Sequence, residues 1–471
     1  MDDELTSCSA ARLAALVRRR EVSPVEVVGA YLRRIERVNP RLNAVVALAP
    51  DALERARAAE RALMRGEAAG ALHGVPLTVK DTIEVKGLPA TAGSVVRAGY
   101  VPGEDAGAVA RLRAAGAVLL GKTNASELAL DYSSDNPVYG RTVNPFDAAR
   151  SPGGSSGGCA AAVSACLTAA SLGSDLSGSI RIPAHFCGVA GLKPTAASVP
   201  RTGHTPPVEG PFALAASLGP IARRVEDLAL LFAVLAEGGA PRAGVDESHD
   251  VADIATLRGA RCAWYADDGV VPVTDETRAA VASAARALED AGCEVFEERP
   301  PGVERGTSLW LALFSEHARA FVRGVYEGRE RDAGHAARQL LQRGAAVKTT
   351  APGDYSQALA ERERLRHELL KWMDGTPLLV APVGAVPAFE HGARKVFAGG
   401  EEIGVFRAFG YAQAFNVFDL PVACVPAGLS LEGLPVGVQI VGRPGAERDV
   451  LAAARVVEEA LGGWRRPPEF L

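Results

Sequence analysis

Apolar runs alternate with amphipathic, alanine-rich stretches along most of this 471-residue chain. Short runs rich in β-branched residues, such as "HGVPLTVKD" at 73–81 and "AVLLGKTN" at 117–124, predict buried strands. Stretches such as "DAGAVARLRAAG" at 105–116, in which apolar residues recur at helical spacing, predict helices. The repeated alternation of the two patterns predicts an α/β fold.

Two helices carry start or stop signals. Ser23 and Pro24 fit the N-cap and the first position of a helix in "SPVEVVGAYLRRIERVNPRLNAVVAL" at 23–48. Gly66 fits the end of a second helix at 51–66. The remaining pattern predicts helices at 156–166, 223–237, 274–292 and 449–463, and strands at 167–175, 258–268, 293–301, 376–383, 420–428 and 434–443.

The chain shows no low-complexity linker and no short-period repeat. We therefore predict a single large domain over residues 1–471. Residues 305–375 look helical and charged, with a break at Pro352-Gly353, and the charged helical residues from about 245 to 375 are predicted to form a helical lobe on the core.

Composition and charge exclude several classes of function. A net charge of −5 provides no electrostatic footprint for nucleic acid or anionic lipid. The N-terminus lacks the basic and apolar regions of a signal peptide, and no run of 18 apolar residues occurs, so a cytoplasmic protein without a membrane partner is expected. The seven cysteines are spread without a C-x-x-C pair and the eight histidines show no H-E-x-x-H motif. Free buried thiols are therefore expected, with no metal and no cofactor.

The stretch "GSDLSGSIR" at 173–181 is the first candidate for chemistry, with three serines among its glycines. A strand that ends in such a loop can aim backbone N–H groups at one point, so Leu176, Ser177, Gly178 and Ser179 are candidates for an oxyanion hole beside a serine nucleophile. Asp175 and Arg181, at the edges of the loop, are interpreted as a structural ion pair. The stretch itself contains no histidine that could act as its base.

A second Ser/Gly cluster, "SPGGSSGG" at 151–158, contains a literal G-x-S-x-G pattern. A nucleophile elbow is not favoured, because the preceding "NPFDAARSP" holds two prolines and is no strand. Taken alone, the segment fits a glycine turn that caps the following helix. One helix and one strand separate Ser155 from Ser179, so the return of the chain can bring the two clusters to one edge of the sheet.

Lys80 is the third candidate, because it lies in an apolar strand and the chain has only seven lysines among 51 basic residues. Desolvation disfavours the charged form and lowers the pKa of a lysine, which provides a neutral amine as a base. The alternative interpretation is a strand-end lysine whose ammonium reaches solvent, and we assign that interpretation to Lys86 and Lys122.

Seven segments together resemble the amidase signature family of serine hydrolases. In chain order, they are "GVPLTVKD", "GKTNASELA", "NPVYGRTVNPFD", "SPGGSSGG", "GSDLSGSIRIPAHFCGVAGLKPT", "SLGPIARRVEDL" and "GLPVGVQIVGR". The resemblance implies a mixed β-sheet sandwiched between helices. It also implies a Ser-cisSer-Lys triad, with Ser179 as the acylated nucleophile, Ser155 on a cis peptide as the relay and Lys80 as the base.

The resemblance extends to binding residues. It implies an oxyanion hole from the backbone N–H groups of Leu176 to Ser179 and an acyl-contact segment from Ala129 to Tyr132. Two positions depart from the family pattern: Ser177 follows Leu176 where two glycines are usual, and Cys159 stands where an acidic or small polar residue is frequent.

Within the family, "GYAQAFNVFDLPVACVPAGLSLEGLPVGVQIVG" and the final "LGGW" look like the bacterial relatives of the fatty-acid amide hydrolases. We therefore expect an amidohydrolase that cleaves the C–N bond of a small-molecule or acyl amide through an acyl-enzyme. The first alternative is the glutamine-using component of a tRNA-dependent amidotransferase. Two further alternatives are a catalytically inactive binding or scaffold protein on the same fold and an esterase of an unrelated fold. A homodimer is left open.

Overall fold

A computed structural model of the protein describes residues 2–67, 70–236, 257–343 and 352–470. Within these residues, eleven strands form one mixed sheet in the order β1-β3-β2-β6-β8-β7-β14-β15-β11-β9-β10. Its strands are β1 (Val45–Leu48), β2 (Pro76–Lys80), β3 (Val118–Thr123), β6 (Ala170–Asp175), β7 (Ala190–Lys193), β8 (Ser217–Ala222), β9 (Arg261–Trp264), β10 (Glu294–Glu297), β11 (Leu378–Pro382), β14 (Val422–Leu429) and β15 (Pro435–Val441). Two small hairpins pair β4 (Asp135–Asn136) with β5 (Gly140–Arg141) and β12 (Lys395–Ala398) with β13 (Glu401–Gly404).

Helices flank this sheet, as the α/β pattern predicts. They are α1 (Asp2–Ser7), α2 (Ala10–Arg18), α3 (Pro24–Leu42), α4 (Ala52–Met64), α5 (Gly107–Ala114), α6 (Gly157–Ser164), α7 (Arg181–Cys187), α8 (Val225–Leu235), α9 (Asp275–Asp290), α10 (Gly306–Tyr326), α11 (His335–Arg343), α12 (Pro352–Met373), α13 (Val405–Ala408), α14 (Gly410–Val417) and α15 (Glu447–Leu461). No helix among the described residues has both the length and the apolar character needed to cross a bilayer.

Local sequence signals fix the ends of α3. The Ser23 hydroxyl accepts the N–H of Glu26 at 3.0 Å, and the Glu26 carboxylate accepts the N–H of Ser23 at 2.8 Å, which completes a capping box. Asn43 ends the helix in the left-handed region, with φ of 52°. The predicted helix at 23–48 is therefore too long, because the last apolar residues of that stretch form β1 instead.

The strands that carry the candidate site are buried along their whole length. Every residue of β2, β3 and β6 is buried, as expected for neighbouring parallel strands inside a sheet that is covered by helices. β2 lies between β3 and β6 and is parallel to both. The carboxyl ends of the three strands therefore meet at one edge of the sheet, where Lys80 and Asp175 end β2 and β6.

The predicted lobe at about 245–375 is only partly helical. β9 and β10 are parallel strands that continue the main sheet beyond β11, with α9 packed against them. The helical part consists of α10, α11 and α12, and α10 packs against the other two and against α14. Residues 245–256 and 344–351 lie outside the described residues, and Pro352, predicted as a break, begins α12.

The seven cysteines are free thiols, as the sequence predicts. Six of them are buried and Cys8 is half-buried. Cys159, one of the two departures from the family pattern, is packed on α6 with its Sγ 3.0 Å from the Thr123 hydroxyl. A small side chain fits this position because α6 lies directly against the buried strands of the sheet.

Candidate active site

The Lys80 side chain is fully buried at the end of β2. Its Nζ lies 2.7 Å from the Ser155 Oγ and 2.9 Å from the Ser174 Oγ. Burial lowers the pKa of Lys80 to about 8, while the nearby Cys159 and Asp175 act in the opposite direction. The strand thus holds, against two hydroxyl groups, an amine that loses its proton at about pH 8 rather than above pH 10.

Two other lysines, Lys122 and Lys193, are equally buried, and burial also lowers the pKa of each to about 8. The Nζ of Lys122 donates to three backbone carbonyl oxygens at 2.5–3.3 Å, and that of Lys193 to two at 2.9 and 3.1 Å. A carbonyl oxygen can only accept, so these surroundings favour a charged donor. A hydroxyl can also donate, so only the surroundings of Lys80 suit a neutral amine that takes up a proton. The prediction that the Lys122 ammonium reaches solvent is wrong, whereas Lys86 is exposed.

The loop before α6 brings Ser155 to Lys80. The peptide bond between Gly154 and Ser155 is cis, as the resemblance implies. The loop lies so close to the segment at Asp131 that a Cβ on Gly154 would be only 2.4 Å from the Asp131 carbonyl oxygen. The Ser134 hydroxyl closes the loop, since it donates to the carbonyl of Gly153 and accepts the N–H of Gly157. The glycines therefore allow the close approach that positions Ser155.

A buried ion pair fixes the loop that follows β6. The Arg181 guanidinium holds Asp175 through two hydrogen bonds, both of 3.0 Å, and neither side chain is exposed. Its remaining N–H groups donate to the carbonyl of Ala412, the amide oxygen of Gln439 and the amide oxygen of Asn416, at 2.9, 2.6 and 2.6 Å. All five donors of the guanidinium are therefore used. Burial alone would raise the pKa of Asp175, but the charge and hydrogen bonds of Arg181, together with Asn416, hold this pKa well below its usual range.

The Asp175 carboxylate also accepts backbone N–H groups of the same loop, that of Gly178 at 2.8 Å and that of Ile180 at 3.0 Å. Gly178 has a φ of 99°, and a Cβ there would lie 2.7 Å from the Ile182 side chain, so this position requires glycine. The sequence prediction places the Gly178 N–H in the oxyanion hole, but in the structure this N–H is engaged by Asp175.

The other three predicted donors remain open. The N–H groups of Leu176, Ser177 and Ser179 make no hydrogen bond within the described chain, and neither does the Ser179 hydroxyl. The loop is held against the Ser155 loop, since the Ser156 N–H donates to the Ser179 carbonyl at 3.2 Å. The two Ser/Gly clusters thus meet at one edge of the sheet, as the helix–strand spacing predicts.

Ser177 stands where the family resemblance implies a glycine, and the Tyr132 hydroxyl holds it in place. The Tyr132 hydroxyl donates to the Ser177 carbonyl at 2.8 Å and lies 2.5 Å from its Oγ, and it accepts the Gln413 amide N–H at 3.0 Å. The backbone of Ser177 stays outside the left-handed region, so the Cβ is accommodated. The serine therefore adds a tie between the loop and the segment after Ala129.

Aromatic side chains cover the loop at Leu176. The Trp310 indole N–H, on α10, donates to the Leu176 carbonyl at 2.8 Å, and its ring packs edge-to-face on Phe406 with centroids 5.1 Å apart. Phe406 also stacks on Tyr132, 5.8 Å away. Ala129, on the same side of the site, has a left-handed backbone conformation with a φ of 61°. Trp310 was missed from the sequence, because nothing in its local pattern distinguishes it from an ordinary core aromatic.

The structure also supplies a histidine that the sequence does not reveal. The His204 Nε2 lies 2.9 Å from the Ser174 Oγ, which itself contacts Lys80. Thirty positions separate His204 from Ser174, and the isolated pairing of Ile83 with His204 brings the two together. Among the described residues, no group of three or more His, Cys, Asp or Glu side chains is placed to hold a metal ion.

Comparison with known proteins assigns this architecture to a class. The family model described as Amidase matches residues 26–451. The chain is 35% identical over 504 residues to the A component of the glutamyl-tRNA(Gln) amidotransferase from Anaeromyxobacter sp. (strain K), with 99% of both chains covered. It is similar to the crystal structure of an amidase, with a TM-score of 0.85 and 33% identity over 97% of this chain and 100% of that one. It is also similar to a bacterial aryl acylamidase of the amidase signature family, with a TM-score of 0.84 and 30% identity over 96% of each chain.

These matches and the fold define a hydrolase that acts on amide substrates. The chain belongs to the amidase signature family. A fatty acid amide hydrolase shares the fold, with a TM-score of 0.82 and 22% identity over 98% of this chain and 86% of that one. The family resemblance and the mixed sheet between helices, both predicted from the sequence, are confirmed.

The Asp175–Arg181 pair generates a prediction about stability. Asp175→Asn leaves the buried guanidinium without its counter-charge, so we expect the free energy of unfolding to fall by about 3–5 kcal/mol in urea denaturation at pH 7. Because the pKa of Asp175 is lowered on folding, its contribution is fully present above the pKa of an unfolded aspartate, about 4. It is lost progressively as the pH falls from there through the much lower pKa of the folded carboxyl. The wild-type and variant curves should therefore converge in acid.

The matched control is Glu402→Gln, which breaks the ion pair with Lys395 at the surface, where both side chains are more than half exposed. It should leave the unfolding midpoint almost unchanged, because solvent screens such pairs. Equal effects of the two variants would contradict the role given to Asp175.

Proposed function

We propose that the protein hydrolyses an amide through an acyl-enzyme, with Ser179 as nucleophile, Ser155 as relay and Lys80 as base. The observation that carries the proposal is the 2.7 Å contact between the Lys80 Nζ and the Ser155 Oγ, at a buried lysine whose pKa is lowered to about 8. The family membership supports it, because Lys80, Ser155 and Ser179 lie in segments that resemble the motifs of that family.

In the proposed reaction, the Ser179 oxygen attacks the carbonyl carbon of the amide. Its proton passes to the Ser155 oxygen, whose own proton passes to Lys80 Nζ. The open N–H groups of Leu176, Ser177 and Ser179 stabilise the negative oxygen of the tetrahedral intermediate. The proton then returns from Lys80 through Ser155 to the nitrogen, the C–N bond breaks and the amine leaves. Water adds to the acyl-enzyme by the same proton transfers and releases a carboxylic acid.

We infer an apolar acyl group in the substrate. Leu176 and Phe406 are apolar and half-buried beside the loop, and Trp310 lies against both. Ala129 begins the segment that meets the loop through Tyr132. A group that binds against this surface loses apolar contact with water, which favours binding in proportion to its area.

A second candidate is supported by the relatives from glutamyl-tRNA(Gln) amidotransferases, which match nearly the whole chain. That function would release ammonia from glutamine for a partner enzyme that acts on tRNA. Hydrolysis of free glutamine, and its stimulation by the partner proteins, would support this candidate. Hydrolysis of neutral acyl amides by the isolated chain, without turnover of glutamine, would support the first.

The proposal predicts that Ser179→Ala abolishes both amide turnover and labelling by a fluorophosphonate. The Ala side chain has no oxygen that could attack the carbonyl carbon of the substrate. The Ser179 hydroxyl is buried and has no hydrogen-bond partner in the described chain, so its removal should leave the core intact. Labelling is followed by mass spectrometry of the intact protein, with circular dichroism as the check on folding. Ser198→Ala, at a hydroxyl that only caps a turn, is the control and should label like the wild type. Labelling of the Ser179→Ala variant at another serine of the site would overturn the assignment.

A second prediction concerns Lys80 as a two-way proton carrier. An amide nitrogen must be protonated before it leaves, whereas an ester's alkoxide leaves more easily, so Lys80→Ala should slow the amide more than an ester with the same acyl group. The expected loss for the amide is roughly 10²–10⁴-fold in kcat/KM. In the wild type, this rate should rise with pH through about 8, because deprotonation of Lys80 produces the active amine.

Lys122→Met provides the matched control for this experiment. Lys122 is as buried as Lys80 but donates only to carbonyl oxygens. Its loss should therefore affect folding, and should lower kcat/KM for the amide and for the ester by the same factor. A Lys80→Ala variant with equal losses for amide and ester would remove Lys80 from the role of proton carrier.

A third prediction concerns the acyl group. Across a series of straight-chain acyl amides, kcat/KM should rise by up to roughly fourfold per methylene until a steric limit, as expected for about 0.8 kcal/mol per buried methylene. Trp310→Ala should flatten the rise, since it removes one wall beside Leu176. Trp372→Ala, at a tryptophan bonded to Glu298 away from the site, should leave the slope unchanged. A flat wild-type response, or a preference for a charged acyl group, would contradict an apolar site.

A further inference from the structure

Ser174 connects the candidate base to a histidine. Its Oγ lies 2.9 Å from Lys80 Nζ on one side and 2.9 Å from His204 Nε2 on the other. Lys80 and Ser174 are buried, and His204 is half-buried at the edge of the site. The mechanism proposed above uses neither Ser174 nor His204.

The hydrogen bonds of His204 determine where its proton lies. The Nδ1 is 2.7 Å from the carbonyl oxygen of Pro206, which can only accept, so the proton of a neutral ring lies on Nδ1. The Nε2 is then an acceptor, and Ser174 is its closest donor. The Thr82 Oγ1 also approaches Nε2, but at 3.4 Å, the outer limit of a hydrogen bond.

This arrangement restricts what Ser174 can do toward Lys80. A serine hydroxyl has one proton, and that of Ser174 is donated to His204. Its oxygen can therefore only accept an N–H from Lys80 and cannot donate to the Nζ lone pair. A neutral Lys80 has one lone pair, and Ser155 is the other hydroxyl in contact with it.

We propose that His204 is a positioning residue, which acts through Ser174 to reserve the Lys80 lone pair for the proton of Ser155. This inference rests on the proposed function, because it gives a direction to the proton transfer between Ser155 and Lys80. Without His204, the Ser174 hydroxyl is free to turn its proton toward Nζ and compete with Ser155.

The surroundings keep the ring neutral. Burial lowers the pKa of His204 to about 4, and the nearby charge of Lys80 acts in the same direction. Asp175, at the end of the strand that carries Ser174, is paired with Arg181. Glu84 lies near the ring, since its backbone N–H donates to the carbonyl of Gly203, the residue before His204. The acceptor form of Nε2 is therefore expected throughout the pH range in which Lys80 titrates.

The test is a double-mutant cycle in which His204→Phe is made with Ser174 present and with Ser174→Ala. Phenylalanine fills the space of the ring but accepts no hydrogen bond. With Ser174 present, we expect kcat for the amide to fall by roughly tenfold or more with KM little changed, the size of effect typical of one hydrogen bond to a reacting group. With Ser174→Ala, the same change should have little effect, because no hydroxyl remains to compete. Equal losses in both backgrounds would show a structural role and overturn the inference.

A spectroscopic readout tests the ring itself. In ¹⁵N-histidine NMR spectra, the wild-type His204 should show the Nδ1–H tautomer between pH 6 and 9, assigned by the signal missing in His204→Phe. The Nε2 signal should shift in Ser174→Ala, which removes its donor. An Nε2–H tautomer or a charged ring at pH 7 would overturn the inference.

Two controls separate this inference from the proposed function. His73→Phe removes a histidine that contacts the Ala59 carbonyl near the opposite end of β2, and it should leave the kinetics unchanged. Labelling of wild-type Ser179 by a fluorophosphonate tests the proposed function independently. If Ser179 is labelled and Lys80→Ala is impaired while His204→Phe keeps the wild-type kcat, only the role of His204 fails.

Discussion

The buried ion pair between Asp175 and Arg181 is the interaction on which the geometry of the site depends. Removing two charges from water costs several kcal/mol for each, and the pair persists only because every donor and acceptor is satisfied. That requirement connects four elements, since Asp175 ends β6, Arg181 begins α7, Asn416 lies on α14 and Gln439 on β15. The loop between Asp175 and Arg181 has five residues, and both of its ends are fixed by the pair.

The same pair decides which N–H groups of the loop are open. The carboxylate takes the N–H groups of Gly178 and Ile180, and these two bonds bend the loop over the end of β6. The N–H groups of Leu176, Ser177 and Ser179 are left without partners in the described chain. The proposed oxyanion hole needs donors that are rigid and unoccupied, and the ion pair stiffens the loop without occupying those three N–H groups.

Much of this organisation could be predicted from the sequence. The strand at Lys80 and the strand before Asp175 are short apolar runs between clear turn signals, and one helix and one strand between Ser155 and Ser179 already bring those residues together. The burial of Lys122 could not be predicted, because the local pattern of its strand does not show whether the Nζ reaches solvent. Its difference from Lys80 lies in the oxygen atoms around each Nζ, which other segments of the chain provide.

Trp310 and His204 could not be predicted for a related reason. Each reaches the site from a segment far away in the sequence: Trp310 contacts a carbonyl of the loop after β6, and His204 contacts a serine hydroxyl of β6 itself. The Trp310 contact depends on how α10 packs over the sheet, and that packing is set by the total apolar surface of several helices. The turn that presents His204 likewise carries no periodic pattern. Local sequence therefore determines the strands and their polar ends, while the walls of the site follow from tertiary packing.

The proposed mechanism requires protons to move in both directions, and the lack of a carboxylate in contact with Lys80 within the described chain fits this requirement. A carboxylate next to the amine would stabilise the ammonium and hold the proton, which must return to the leaving nitrogen. Asp175 is close enough to raise the pKa of Lys80, yet its charge is matched by Arg181, and burial prevails. The ion pair that shapes the loop therefore also limits the electrostatic field at Lys80. In the proposed mechanism, the carboxylate that shapes the loop is thus prevented, by its pairing with Arg181, from holding the proton on Lys80.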